Sequence, residues 1–276
     1  MPPQTRATLK QYFDTGSMPT QRDFADLVDS TLNMRDEGFE KTPAEGFKVS
    51  QLSDSGKLIS FFRYDLGGQA LYFIQVDKDQ NLVIGSDHTD DSQQRNILFG
   101  VKDTGADEKL RIGINTDRPE RELDVGGVIR AEGRIGVATS VNKQELKVPA
   151  DGVWHSITDI LGGCHAFEVM AGVGGQKTLG RYSLTHAIAL NAYNPKGPLF
   201  NFLNFKKRIK YHTTYYRSRN DKLRLRWLDE GNHNYRLQLK SSTNIGEGIQ
   251  IKYYLTSLWF DEEMSESRPP EESSGG

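Results

Sequence analysis

The sequence is almost devoid of cysteine: Cys164 is the only one in 276 residues. No disulfide can form within the chain, so the fold must rest on packing or on partner subunits. Cys164 lies in the run Cys164-His165-Ala166-Phe167-Glu168-Val169, where a free thiol is expected to be buried and structural. Long apolar runs are missing too. No stretch approaches the ~18 residues of a membrane-spanning helix, and Met1-Pro2-Pro3-Gln4-Thr5-Arg6 has no apolar signal core. The expectation is synthesis in the cytoplasm without a signal peptide or membrane span, with release as part of a particle left open. Charge of one sign is also lacking: the formal net charge is -2. A charge-driven partner must therefore be met by a local patch, and nucleic acid is not the expected partner.

Catalytic constellations are equally scarce. Gly172-Val173-Gly174-Gly175-Gln176-Lys177-Thr178 resembles a phosphate loop but has Gln176 where a glycine must precede the lysine, and a strand-like run follows it in place of a helix. A turn between strands is the better reading. His88, His155, His165, His186, His212 and His233 are scattered without metal-ligand spacing and read as surface or hydrogen-bonded core residues. The acidic run Asp87-His88-Thr89-Asp90-Asp91 lacks the glycine and distal glutamate of a calcium loop. With no nucleophile elbow and no suggestive carboxylate pair, neither catalysis nor a cofactor is expected.

What is present favours β-structure. Hydrophobic residues make up 36%, charged residues 26% and aromatics 10%, with 27 glycines, a soluble globular balance rather than a disordered one. Four zones differ in texture. Residues 1–45 hold one short helix: Thr20 and Asp23 form a capping-box pattern, and Phe24, Leu27, Val28, Thr31 and Leu32 fall on one face. Such a helix, alone in its zone, must dock on something else, which makes residues 1–45 an anchor. Residues 46–107 alternate short strands, such as Leu58–Phe62 and Ala70–Val76, with polar turns such as Asp77–Asn81. Residues 108–140 repeat short apolar runs with glycines, Leu110–Thr116, Leu123–Ala131 and Gly133–Val137. One chain cannot close a core from these, whereas three copies around an axis could bury their Ile, Leu and Val side chains and remove exposed edges. A trimerising glycine-rich β-stalk is the expectation.

Residues 141–260 show alternating strands, among them Ala166–Met170, Arg181–Leu190, Lys222–Trp227, Tyr235–Leu239 and Ile249–Leu255, spaced as in an antiparallel β-sandwich. The acidic, Pro/Ser/Gly-rich residues 261–276 are expected to be a disordered tail. From Lys196 to Trp227 the chain is rich in cations and aromatics, with Asp221 its only acid. Lys206, Lys207, Arg208, Lys210, Tyr211, Tyr215, Tyr216, Arg217 and Arg219 are the candidate binding residues, suited to anionic glycans, lipopolysaccharide phosphates or an acidic protein surface, and chemically also to single-stranded nucleic acid, whose bases stack on aromatics. Against this stands a plainer reading, in which the aromatics face the core and the charges decorate the solvent side, as the alternation Leu223-Arg224-Leu225-Arg226-Trp227 suggests.

Tyr12-Phe13-Asp14-Thr15-Gly16, with Pro19-Thr20-Gln21 and Phe24–Ser30, resembles the N-terminal segment of tail-fibre-like and baseplate-associated proteins of Bacteroidota phages and extracellular contractile injection systems. Ile112-Gly113-Ile114-Asn115-Thr116, Leu123-Asp124-Val125-Gly126-Gly127 and Gly133-Arg134-Ile135-Gly136 look like a repeat of trimeric tail fibres, with Asn115 where glycine is frequent. Asp151-Gly152-Val153-Trp154-His155 and Trp227 are similar to domains of the same particles. The resemblance implies a homotrimeric fibre, baseplate or cage-like component of a released particle or virion. It would be held to other particle proteins by its N-terminal helix, with its C-terminal domain available to contact surface glycan or lipopolysaccharide. The alternatives are a stand-alone carbohydrate-binding module and a glycan depolymerase.

Overall fold

The computed structural model describes residues 4–31, 33, 38–51, 56–64, 68, 70–86, 96–102, 109–138, 145–193 and 208–269. The chain divides into two compact units, Met1–Arg130 and Ala131–Gly276, and strands dominate both.

The first unit opens with two helices rather than one, α1 (Arg6–Tyr12) and α2 (Gln21–Asp29). The capping box forms as the sequence indicates: the Thr20 hydroxyl accepts from the Asp23 amide while the Asp23 carboxylate accepts from the Thr20 amide at 2.7 Å. The helix is not without a partner of its own. Phe13, just after α1, meets Phe24 edge-on at 5.4 Å between ring centroids. Helix α2 ends at Asp29, with Thr31 beyond it and Leu32 outside the described residues.

A hairpin of β1 (Phe39–Thr42) and β2 (Gly46–Val49) follows. Next come β3 (Lys57–Phe61), β4 (Tyr72–Val76), β5 (Leu82–Ser86), β6 (Ile97–Lys102), β7 (Lys109–Ile114) and β8 (Leu123–Val125), which form one six-stranded sheet in chain order. All neighbours are antiparallel except β7 and β8. One face holds a small core of Phe73, Val83 and Leu98. The glycine-rich stretch forms no separate stalk. Its first two runs are β7 and β8, continuous with the strands before them, and Gly126 to Gly136 carries no regular secondary structure. Asn115 sits at φ 55°, a left-handed conformation that asparagine tolerates far better than branched residues do. This explains why it can stand where glycine would be expected. Gly126 must be glycine for another reason: a Cβ there would lie 2.5 Å from the Asn115 carbonyl oxygen.

The second unit is an antiparallel sandwich. Its larger sheet runs β13 (Arg208–Tyr215), β12 (Ser183–Ala192), β11 (Cys164–Val173), β16 (Gln250–Ser257), β9 (Lys147–Pro149). Its smaller sheet runs β10 (His155–Ser156), β15 (Asn234–Ser241), β14 (Leu223–Gly231). Strict alternation drives this. In β11 the side chains of Phe167, Val169, Ala171 and Val173 are buried, and the residues between them are half-exposed. Facing them from the smaller sheet are Leu223, Leu225, Tyr235, Leu237 and Leu239, all in one core cluster. Burying such aliphatic and aromatic side chains contributes roughly 1.5–3 kcal/mol each. Cys164 is buried as expected, and Gly174–Tyr182 connects β11 to β12 without a phosphate-loop helix. The tail differs from expectation over residues 261–269. They are ordered around a short 3-10 turn, Ser265–Ser267, whose start is fixed by Asp261 accepting from the amides of Ser265 and Glu266 at 2.9 and 3.0 Å.

Candidate functional site

The described members of the expected binding set do not share one face of β13. Lys206 and Lys207 lie outside the described residues, as does the side chain of Arg208. Strand β13 alternates, so its neighbouring residues Lys210 and Tyr211 point to opposite faces. Lys210 pairs with Ile188 on the outer face, whereas Tyr211 and Tyr215 pair with the core-facing Ala187 and Ser183. Both tyrosines stay partly exposed because β13 is the sheet's edge strand. Lys222 lies over the Tyr215 ring at 5.2 Å. Tyr216 stands edge-on to Tyr182, and Arg217 donates to the Leu179 carbonyl at 3.2 Å. Arg219 sits in the 3-10 turn Arg219–Asp221. The three tyrosines are exposed, Tyr216 most of all at 79%, so the core-facing alternative does not describe the aromatics of this stretch.

That end of the sandwich is held by an ion pair. Arg181 Nε and Nη2 donate to Asp221 Oδ1 at 2.8 and 2.7 Å. Its remaining donors reach the carbonyls of Asn244 and Ile245, both at 3.1 Å, and the Thr243 hydroxyl at 3.0 Å. Asp221 is 1% exposed, so the single acid of the cationic stretch is the buried counter-ion of a clasp. Ser218, Asn220 and Arg217 line a shallow depression beside it.

A different cationic cluster, outside the expected set, lies on the outer face of the smaller sheet. The register places Arg224 directly opposite Lys240 and Arg226 opposite Gln238. Trp154, just before β10, lies under both strands' cations: the Arg226 guanidinium carbon is 4.5 Å from its ring centroid and Lys240 Nζ is 4.8 Å from it. Arg226 Nε donates to Gln238 Oε1 at 2.8 Å, and the Gln238 amide reaches Ser156 Oγ at 3.3 Å. Arg224 Nε donates to Ser242 at 3.0 Å. Among the described residues none of these three cations is in an ion pair. Of the nearby carboxylates, Asp221 is the counter-ion of Arg181, Glu230 pairs with Arg236 at 3.0 Å, and Asp151, close to Trp154 in the chain, is taken up by His155 Nε2 and the Val153 amide, both at 2.9 Å. The alternation over Leu223–Trp227 marked Arg224 and Arg226 as solvent-facing, whereas Lys240 lies one residue beyond the expected strand Tyr235–Leu239. Their convergence on Trp154 depends on strand register, which no local pattern encodes.

A third arrangement is buried. His165 Nδ1 is 2.9 Å from the Tyr235 hydroxyl, which also reaches the Gly163 carbonyl at 2.8 Å, and His165 Nε2 is 3.1 Å from Glu262. Burial holds His165 below its ordinary pKa, against the opposing pull of Glu262. It also pushes the Tyr235 hydroxyl well above its usual range, so that the phenol stays protonated. On the larger sheet's outer face, Glu168 binds His186 Nε2 at 2.9 Å and is also paired with Arg134. Among the described residues no group of three or more His, Cys, Asp or Glu is placed to hold a metal ion. No described helix is long and apolar enough to cross a membrane.

The first unit has a surface of another kind. The face of the six-stranded sheet opposite its small core carries a row running Ile59, Ile74, Ile84, Ile97, Ile114, Val125 across all six strands. A second row runs Val76, Leu82, Phe99, Ile112, Leu123. Exposure reaches 43% at Ile59, 39% at Ile97 and 58% at Leu110. The described side chains of this face carry no charge.

No family model matches the chain, and no curated protein is significantly similar to it.

Proposed function

We propose that the chain is a non-enzymatic structural component of a phage-tail-like contractile injection particle. In this reading the first unit associates as a homotrimer and the C-terminal sandwich is displayed as a contact module towards surface glycan. The uncovered isoleucine face is the observation that carries it. A sheet with one wet apolar face of this extent is a liability for an isolated chain. Copies of the same chain are the natural occupant, because β-branched rows stack well on matching rows and a charge-free face offers little to select a different partner. The resemblance of the N-terminal and glycine-rich segments to fibre and baseplate proteins supplies the kind of particle.

Light scattering on the full chain, beside a fragment beginning at Ala131, tests the assembly. The fragment encloses its own two-sheet core and is expected to be monomeric, with the full chain trimeric. A monomeric full chain at micromolar concentration would remove the trimer. Mass spectrometry and antibody labelling of particles purified from the producing cells test the location, and absence from them would remove the particle reading. The second reading, a stand-alone carbohydrate-binding module, is favoured by the cationic face around Trp154. A monomer that binds glycan would select it.

A further inference from the structure

The outer face of the smaller sheet holds cations where stability alone would not put them. Like charges directly opposite on neighbouring strands destabilise a sheet, and Arg224 faces Lys240 in that way. No described carboxylate offsets them. Trp154 recovers part of the cost, because a cation over an indole face is attracted by roughly 0.5–1 kcal/mol at exposed sites. The same contact restrains long side chains that would otherwise move freely, as do the bonds from Arg226 to Gln238 and from Arg224 to Ser242. Restrained guanidinium groups lose less freedom on meeting an anion. We infer that this face binds a carboxylate- or sulfate-bearing polysaccharide, with Arg224, Arg226 and Lys240 as the anion contacts and Trp154 as their positioning residue. The inference rests on the contact-module reading and names its ligand class and its place.

Three features select this ligand. The face is an open sheet rather than a cavity, so a single small anion would stay hydrated and bind weakly. Arg224 and Arg226, two residues apart on one strand, recur at about 6.8 Å, and a ligand with repeating charges gains from several such contacts at once. The Trp154 ring already carries the Arg226 and Lys240 head groups. It is therefore not free as a stacking platform for the bases of single-stranded nucleic acid.

The test is calorimetric titration of the full chain at low ionic strength with polygalacturonate, dextran sulfate, uncharged dextran and a single-stranded oligonucleotide. Binding to at least one polyanionic glycan is expected, weakening as salt is raised, with none to dextran. A combined Arg224→Gln, Arg226→Gln, Lys240→Gln variant should bind at least about tenfold more weakly while keeping its melting temperature. Trp154→Leu should fall between the two. A Lys210→Gln, Arg217→Gln, Arg219→Gln variant should bind as the parent does. Failure of the parent to bind either polyanion would overturn the inference, as would undiminished binding by the first variant or stronger binding of the oligonucleotide. If the second variant is the one that loses affinity, the site belongs to the β13 end and the inference also falls. Light scattering on the same samples keeps the two readings apart: a trimer that binds no glycan overturns only this inference, and a monomer that binds overturns only the trimer.

Discussion

His165 and Glu262 face each other at 3.1 Å, with the Tyr235 hydroxyl 2.9 Å from the opposite nitrogen of the ring. With His165 neutral, Nε2–H donates to Glu262 and Nδ1 accepts from Tyr235. The Gly163 carbonyl then keeps the Tyr193 amide as its donor at 3.1 Å. With His165 protonated, Nδ1–H donates to Tyr235, whose own proton turns to Gly163 at 2.8 Å. The hydroxyl can thus serve either protonation state, and the segment carrying Glu262 is tied to β11 in both. Its carbonyl accepts from the Cys164 amide at 2.7 Å.

This arrangement fixes the sign of a pH effect. Burial lowers the folded pKa of His165 below its ordinary 6.5. Between those two values the unfolded chain holds more protons than the folded one, so stability falls as pH drops through 6.5, by at most about 1.4 kcal/mol per pH unit. Urea unfolding of the Ala131 fragment between pH 7.5 and 5 should show that slope, and His165→Gln should flatten it. In Glu262→Gln the charge that pulls the pKa upward is gone, so the slope should extend to lower pH. Persistence of the full slope in His165→Gln would assign it to another group.

The Arg181–Asp221 clasp is expected to matter more than any surface ion pair. Removing one partner of a buried pair costs about 3–5 kcal/mol, because the other charge is left without compensation. Arg181→Met should therefore lower the melting temperature of the Ala131 fragment by roughly 10 °C. Asp221→Asn keeps one acceptor for the guanidinium and should cost less. Equal melting temperatures for Arg181→Met and the parent, by calorimetry, would contradict this account.

These two clusters mark where reading the sequence succeeds and where it stops. The capping box was legible because Thr20 and Asp23 are three residues apart and each serves the other's backbone. The strands of the sandwich were legible because β11 alternates from Ala166 onward and β14 alternates over Leu223–Arg226, with one face buried. Helix α1 was missed, since Arg6–Tyr12 has no apolar stripe of its own and gains its partner through tertiary contacts, Phe13 against Phe24 and the Tyr12 hydroxyl donating to Asp26 at 3.4 Å. The binding expectation at β13 came from composition, and Lys210, Tyr211 and Tyr215 are exposed there; their division between two faces comes from the alternation of an edge strand. The stalk expectation came from treating residues 108–137 alone. β7 finds its partner in β6, where Ile97 pairs with Ile114. The tail expectation came from composition, which carries no trace of Glu262 reaching His165. Arg224 and Lys240 are 16 residues apart, and only the hairpin register between β14 and β15 makes them opposites.

At Asn115 the prediction concerns backbone conformation rather than contacts. Its φ of 55° suits glycine and asparagine and is a true outlier for a β-branched residue. Asn115→Gly should leave the unit's stability within about 1 kcal/mol, whereas Asn115→Val should cost roughly 1–3 kcal/mol. Urea unfolding of the full chain, followed at the transition of the first unit, separates the two. A valine variant as stable as the parent would show that the loop between β7 and β8 relaxes out of this conformation.

The isoleucine face supports the most demanding prediction. Ile84 and Ile97 sit opposite each other near the middle of the first row, 38% and 39% exposed, with their outer surfaces wet in a single chain. Ile84→Lys or Ile97→Asp places a charge there at little cost to the isolated sheet, since the opposite face carries the core of Phe73, Val83 and Leu98. In an assembly the same charge would be buried without a partner, at a cost of several kcal/mol. In the proposed trimer, with three copies meeting at one axis, the penalty would be incurred three times. Either variant should therefore convert the full chain to monomer in light scattering while leaving its β-rich circular dichroism unchanged. Ile84→Val, which keeps the shape and polarity of the row, should remain associated. A charged variant that stays trimeric would move the contact to another surface of the first unit. Loss of structure in the charged variants, with Ile84→Val still folded and monomeric, would show that the face serves the fold and not assembly.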